Sequence, residues 1–219
     1  MSHEIRTRRG ALALFSALAS SAIAQHRKLD EKEVIRYERQ EITVPDFPAK
    51  GYILDIGGGG EGVIGQLKPN ETIAVDLIKR ELEQAPPGPL KIVMDARDLK
   101  FLDNSIPTVT AFYCLMYVAE PDHAQVFSEA YRVLAPGGRM LIWEAATPRQ
   151  EGEKKWAVFP LTVNLPGKLI RTGYGVPMGA EPHDARYFTR RAERAGFVAL
   201  RRQAAGLHFF LELQKPAAR

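Results

Sequence analysis

This 219-residue sequence predicts an α/β fold, with a mostly parallel sheet covered on both faces. Three observations predict it. Short apolar runs alternate with helical patterns from Tyr52 to Glu144; strands buried on both faces read as such runs, with helical segments as the crossovers. The first run passes through Asp55 into four consecutive glycines, Gly57 to Gly60, and then into a helical pattern. After an irregular stretch, the chain closes with a helix and two strand patterns joined around Ala205-Gly206.

From the N-terminus, Arg6, Arg8 and Arg9 precede a small-apolar run, Ala11 to Ala24, that ends in Ala22-Ile23-Ala24. A basic region, an apolar core and an A-x-A step are the layout of an export signal over residues 1–24, and Thr7 to Leu12 resembles the twin-arginine type. The run is shorter than the roughly 20 residues needed to span a bilayer, so no transmembrane helix is expected in the mature chain. An ordinary amphipathic helix in a cytoplasmic protein is the other reading; export places the mature chain in the periplasm or cell envelope. Residues 25–48 are expected to hold one helix, Leu29 to Gln40, lying over the ligand pocket, and a linker broken by Pro45 and Pro48.

The main domain, 49–219, then unfolds in order. Strands are expected at Tyr52–Ile56, Thr72–Asp76, Lys91–Met94, Val109–Leu115 and Met140–Glu144. Helices are expected at Gly62–Leu67, Lys79–Gln84 and Ala124–Leu134, with Pro136-Gly137-Gly138 turning the chain into the fifth strand. Residues 147–183 are rich in Gly, Pro and aromatics with no firm period, and form an insert on the substrate side. A helix, Asp184–Ala195, and two strands, Phe197–Gln203 and Leu207–Leu213, complete seven strands.

The glycine run carries the chemistry. A strand that ends in glycines and continues as a helix exposes bare backbone and unpaired N–H groups to a ligand. Two fingerprints fit. Gly57, Gly59 and Gly62 satisfy G-x-G-x-x-G, with Asp76 at the distance expected of a dinucleotide site. Asp55 two residues before the first glycine fits a different pattern, hydrophobic-Asp-hydrophobic-Gly-x-Gly. A carboxylate at that mouth repels a pyrophosphate and favours a cation.

The second pattern resembles motif I of the class I S-adenosylmethionine (SAM)-dependent methyltransferases, small-molecule type. Three further segments resemble the same family, over about Tyr52 to Glu144: Ala74-Val75-Asp76-Leu77, Met94 to Leu99 with Asp95 and Ala96, and Arg132 to Ile142 around the Pro-Gly-Gly turn. The resemblance implies a Rossmann-like three-layer sandwich whose seventh strand is antiparallel, inserted between the fifth and sixth. It implies SAM as cofactor, with Asp55, Gly57, Gly58 and Gly59 at the methionine end, Asp76 on the ribose, Leu77 on the adenine, Asp95 and Ala96 at the adenine edge, and Tyr113 near the methyl donor. One departure stands out: Glu61 occupies the place of the family's third glycine.

Methyl transfer from a sulfonium needs alignment and exclusion of water, and a base only where the acceptor must lose a proton. His123, His183, Tyr117, Tyr174 and His208 are the candidates, each equally readable as a packing or capping residue. The apolar segment Trp156 to Met178 reads as a lid over an apolar or aromatic small-molecule acceptor, or as cover for a sheet edge. There is no Asn-Pro-Pro-Tyr motif, which argues against a nucleic-acid substrate, and no evident metal-binding acidic set. A single cysteine, Cys114, excludes an internal disulfide and reads as core packing. The net charge is +4, half of it in the leader, and its one cluster (Arg186, Arg190, Arg191, Arg194, Arg201, Arg202) reads as the solvated face of a helix and a strand or as a phosphate or nucleic-acid surface. An NAD(P)-dependent oxidoreductase and a SAM-binding protein without catalysis are the competing functions. The acceptor and the oligomeric state do not follow from the sequence.

Overall fold

A computed structural model describes residues 30–217. The proposed leader, residues 1–24, lies outside the described residues. Two sheets make up the fold. The larger has seven strands: β3 (Ile53–Ile56), β4 (Thr72–Asp76), β5 (Leu90–Val93), β6 (Ile106–Phe112), β7 (Leu134–Ala145), β10 (Val198–Ala205) and β11 (His208–Gln214). Their order is β10-β11-β7-β6-β3-β4-β5. The pairings from β5 to β7 are parallel, and β11 inserts antiparallel between β7 and β10. This is the seven-stranded, Rossmann-like arrangement the sequence implies.

Each crossover has a local cause. Helix α1 (Val63–Leu67) and helix α2 (Lys79–Gln84) follow β3 and β4. Helix α3 (His123–Val133) buries Val126, Phe127, Ala130 and Val133, a stripe at helical spacing. Each Val or Phe so buried stabilises by about 1.5–3 kcal/mol. Helix α4 (Ala185–Arg194) is N-capped by Asp184, whose carboxylate accepts from the Tyr187 amide at 2.8 Å. The Pro-Gly-Gly turn lies inside β7. Ile106 pairs with Leu134 and Thr108 with Arg139, so residues 135–138 bulge out of register. A Cβ on Gly138 would come within 2.7 Å of the Ala135 carbonyl and 2.8 Å of that of Pro107, so only glycine passes.

Alternate strand residues feed two cores. Leu54, Ile56, Val109 and Ile142 join Phe127, Tyr187 and Phe188 under α3 and α4. Ile53, Phe112, Leu141 and Trp143 face the other way. That second face is covered partly by a sheet, where the sequence reading has only helices.

The smaller sheet departs most from expectation. Glu31–Glu33 forms one 3-10 turn, and the expected helix over 29–40 is replaced by two short strands, β1 (Val34–Arg36) and β2 (Gln40–Thr43). Both pair in parallel with β8 (Trp156–Leu165), end to end along one side of it. On the other side, β8 pairs antiparallel with β9 (Lys168–Pro177) through a Pro166-Gly167 turn, with Gly167 at φ +70. Pro160, which has no N–H to donate, falls at the break between β1 and β2. The β-branched pairs Val34-Ile35 and Ile42-Thr43 find partners in β8, and this pairing outweighs the helical preference of the charged residues around them.

The insert is therefore a structured hairpin, held by the N-terminal strands as one face of a second core through Phe159, Leu161, Val163 and Tyr174. It is a fixed roof and not a free flap. No helix among the described residues is long and apolar enough to cross a membrane.

Candidate active site

The C-terminal ends of β3, β4 and β6 open onto a cavity. Such strand ends are where open α/β sheets bind ligands. Its floor is the glycine loop. Gly57 has φ +73, and any Cβ there would collide with the Cys114 thiol. A Cβ on Gly59 would lie 2.6 Å from Glu81 Cβ and 2.7 Å from Asp76 Oδ2. Both positions form a cradle that a side chain would fill. Gly58 is not part of the cavity wall. It packs the loop against β4, where a Cβ would meet that of Ala74 at 2.8 Å.

Five carboxylate residues line this cavity, Asp55, Glu61, Asp76, Glu81 and Asp95, against one arginine, Arg97. Asp55 is buried and accepts from Thr110 Oγ1 at 2.7 Å. Burial raises its pKa to about 7, against the pull of Thr110, with the neighbouring Asp76 adding a push upward. Asp76 accepts from the Ile78 amide at 2.8 Å, and burial raises its pKa as well. A ligand that brings positive charge relieves both. Leu77 and Ala96 supply apolar wall beside them. Asp95 is engaged by Arg97, which donates to it from Nε at 3.0 Å and Nη2 at 2.7 Å and bridges on to Asp122. Those hydrogen bonds hold Asp95 below the ordinary carboxylate range.

The roof is aromatic. Tyr113 has φ +46, a left-handed conformation that a bulky residue adopts at a cost of order 1–3 kcal/mol. Its ring stacks on Tyr174 of β9, with centroids 5.0 Å apart. Tyr117 and Tyr174 also line the cavity, and burial raises the pKa of all three phenols, so they stay protonated.

Of the candidate bases, the three histidines are not in the cavity wall. His123 is fully buried; its Nε2 lies 2.9 Å from the Leu115 carbonyl and its Nδ1 2.7 Å from the Tyr187 hydroxyl. A carbonyl only accepts, so Nε2 carries the proton and Nδ1 accepts from Tyr187. Burial lowers the His123 pKa to about 4, and it stays neutral. Its role is to hold the turn after β6. His183 packs on Tyr187 at 4.2 Å and pairs its backbone with Thr147, away from the cavity. His208 lies at the start of β11, in the wall of a separate cavity.

Three residues escape a reading by motif. Glu144, at the end of β7, is fully buried and accepts from the Ala145 amide at 2.9 Å and the Met116 amide at 3.3 Å. Burial raises its pKa to about 7. With His123 it clamps the Cys114–Tyr117 turn from below. An acid closing an apolar strand, Leu141-Ile142-Trp143-Glu144, was its only signal in the sequence. Glu61, noted there as a departure, accepts from the hydroxyls of Thr172 and Tyr174 and so ties the glycine loop to β9. Cys114, read as core packing, is half-buried and lines the cavity; burial lifts its thiol far above the usual range, so it is no nucleophile. Among the described residues no group of three or more His, Cys, Asp or Glu could hold a metal ion.

Residues 54–142 match the family described as a methyltransferase domain. The chain carries a class I SAM-dependent methyltransferase domain. It is similar to the ubiquinone/menaquinone biosynthesis C-methyltransferase of Desulfotalea psychrophila, 26% identical over 205 residues, which cover 86% of this chain and 82% of that one. With the demethylmenaquinone methyltransferase of Symbiobacterium thermophilum it shares 29% identity over 149 residues, 62% of this chain and 59% of the relative. Among solved structures it is similar to a SAM-dependent methyltransferase of Mesorhizobium loti, with a TM-score of 0.54 at 15% identity over 77% of this chain and 93% of the other. A glycopeptide N-methyltransferase in complex with SAM gives 0.54 at 18% identity, over 78% and 89%. At those identities the structural likeness speaks to the fold. The methyltransferase domain takes SAM as cofactor, and the acidic, glycine-floored cavity fits its sulfonium and ammonium.

Proposed function

We propose that this methyltransferase transfers the methyl group of SAM to a small aromatic acceptor of the quinol type. One observation carries the reading: a carboxylate-rich, glycine-floored cavity lies directly under a roof of three tyrosines. Similarity to quinone C-methyltransferases supports the acceptor class. Bound in this cavity, SAM would supply a methyl carbon on a cationic sulfur, the sulfur keeping the bond pair as the acceptor nucleophile takes the methyl. The chain's residues align and enclose. Asp55 and Asp76 favour the cofactor's cationic and hydroxyl groups. The Cys114–Tyr117 turn, braced by Glu144 and His123, fixes the wall beside the methyl group, and the roof of Tyr113 and Tyr174 excludes water. A proton released by the acceptor passes to solvent.

The test is incubation with methyl-labelled SAM and a lipid extract or purified demethylated quinols. Label in an organic-soluble small molecule is expected. Label confined to protein or nucleic acid, or tight NAD binding with no response to SAM, overturns the reading. A SAM-binding role without catalysis predicts binding and no transfer to any extract. Residues 1–24 are proposed as an export signal; an intact mass from the native host that starts at Met1 refutes it.

A further inference from the structure

Tyr113 has a second neighbour. Between β2 and the β10–β11 hairpin lies another cavity, with Tyr113 in its wall. Tyr113 is part of the wall of both cavities. The second cavity sits at the C-terminal ends of β6 and β7, where His208 pairs with Ala145. Its base is aromatic: Trp143 and Phe210 pack with centroids 5.0 Å apart.

The two cavities have opposite electrostatics. The cofactor cavity is lined by five carboxylate residues, whereas no acidic residue lines the second. Its charged group is Arg201. The cross-strand partner of Arg201 is Glu212, but Glu212 is taken by Arg139 Nη1 at 2.9 Å. Arg201 lies instead with its guanidinium 5.6 Å from the Phe210 ring centroid. Beside it, Gln203 offers an amide, and His208 has its Nδ1 buried with no hydrogen-bond partner. An orphaned buried nitrogen in a native fold calls for a partner that is not part of the chain. Arg201, Gln203 and His208 gather hydrogen-bonding groups and positive charge along one rim, and Trp143 and Phe210 offer ring faces below.

We propose that this second cavity binds a planar aromatic ring bearing an anionic oxygen, a carboxylate or a phenolate, with Arg201 and His208 on the oxygen and Trp143 and Phe210 against the ring. The site's chemistry stands apart from the methyl-transfer reading.

The experiment is calorimetric titration of the full chain with 2-naphthoate and with the neutral 2-naphthalenemethanol, each with and without saturating S-adenosylhomocysteine. The acid is expected to bind one per chain, at least about fivefold tighter than the alcohol, and equally with the cofactor product present. Arg201→Ala, at an exposed position, is expected to remove the preference for the acid while leaving SAM affinity within about twofold. His208→Phe is expected to weaken the acid more than the alcohol, and a thermal melt of each variant checks that it is folded. Equal affinity for acid and alcohol, no effect of Arg201→Ala in a folded protein, or displacement of naphthoate by S-adenosylhomocysteine overturns the proposal. Simultaneous binding of naphthoate and the cofactor product, with no label transferred to any extract, leaves the site standing and refutes the methyl-transfer reading.

Discussion

The two sheets meet at the cofactor cavity and contribute different things to it. The seven-stranded sheet supplies backbone and charge: Asp55 and Asp76 at strand ends, Gly57 and Gly59 in the loop between them. The smaller sheet supplies one aromatic side chain, Tyr174, and through Thr172 and Tyr174 two hydroxyls for Glu61. The cofactor is thus gripped by parts that cannot move without disturbing a parallel sheet, whereas the roof belongs to a separate element joined by few bonds. Cofactor affinity and roof stability should separate on mutation.

The largest effect is expected from Gly57→Ala, which places a methyl on the Cys114 thiol at a positive φ. SAM affinity should fall by about 100-fold or more, read by calorimetry. Tyr174→Ala attacks the roof instead. It should cost about 3 kcal/mol in denaturant unfolding through the lost ring and the cavity left behind, with SAM affinity kept within about threefold. A loss of SAM binding as large as that of Gly57→Ala would break the division between the sheets. Asp76→Ala should weaken SAM by about 1–3 kcal/mol, with a smaller loss in unfolding, about 1 kcal/mol, from its bond to the Ile78 amide.

Asp55 sharpens the comparison through pH. Its pKa in the free protein is raised to about 7, while in the unfolded chain an aspartate titrates near about 4. The fold therefore favours the protonated form, and its contribution to stability is full below about pH 4 and is lost as pH rises through 7. Cationic cofactor favours the ionised form, so binding releases a proton and SAM affinity should rise by up to about tenfold between pH 6 and 7. Asp55→Asn should flatten that slope and stabilise the free protein at pH 8; Glu144, also raised to about 7, leaves a residual dependence. The smallest expected effect is Glu61→Ala, a loss of about 1 kcal/mol that appears as faster hydrogen exchange of β9 amides. Unchanged exchange would remove Glu61 as the tie between the sheets.

Legibility in the sequence follows the same division. The larger sheet was readable because each strand is a short apolar run next to its own helix, with glycines or Pro-Gly-Gly at the turns. Asp55, Asp76 and Asp95 were visible because they close such runs. The smaller sheet was not. Val34–Arg36 and Gln40–Thr43 are too short and too charged to announce strands, and their partner lies far along the chain. In β8, Ala157, Phe159, Leu161, Val163 and Leu165 alternate inward, but Trp156, Val158 and Pro160 on the outer face hid the period. His123 misled because a histidine near a strand end suits both a base and a brace, and only the Leu115 carbonyl and Tyr187 hydroxyl decide between them. Glu144 carried no motif, since its partners are backbone amides.

The parallel pairing of β1 and β2 with β8 has a consequence for how the chain is made. Strands 34–36 and 40–43 leave the ribosome roughly 120 residues before the strand that receives them, which at about 5–20 residues per second is a wait on the order of ten seconds. During that interval β3 to β7 can close their parallel sheet, a floor whose parallel strand pairings are all internal to residues 53–145. The roof then assembles in one event, as the nascent hairpin captures both waiting strands, before β10 and β11 complete the larger sheet. In refolding experiments the glycine-loop half should gain protection before the half that faces it.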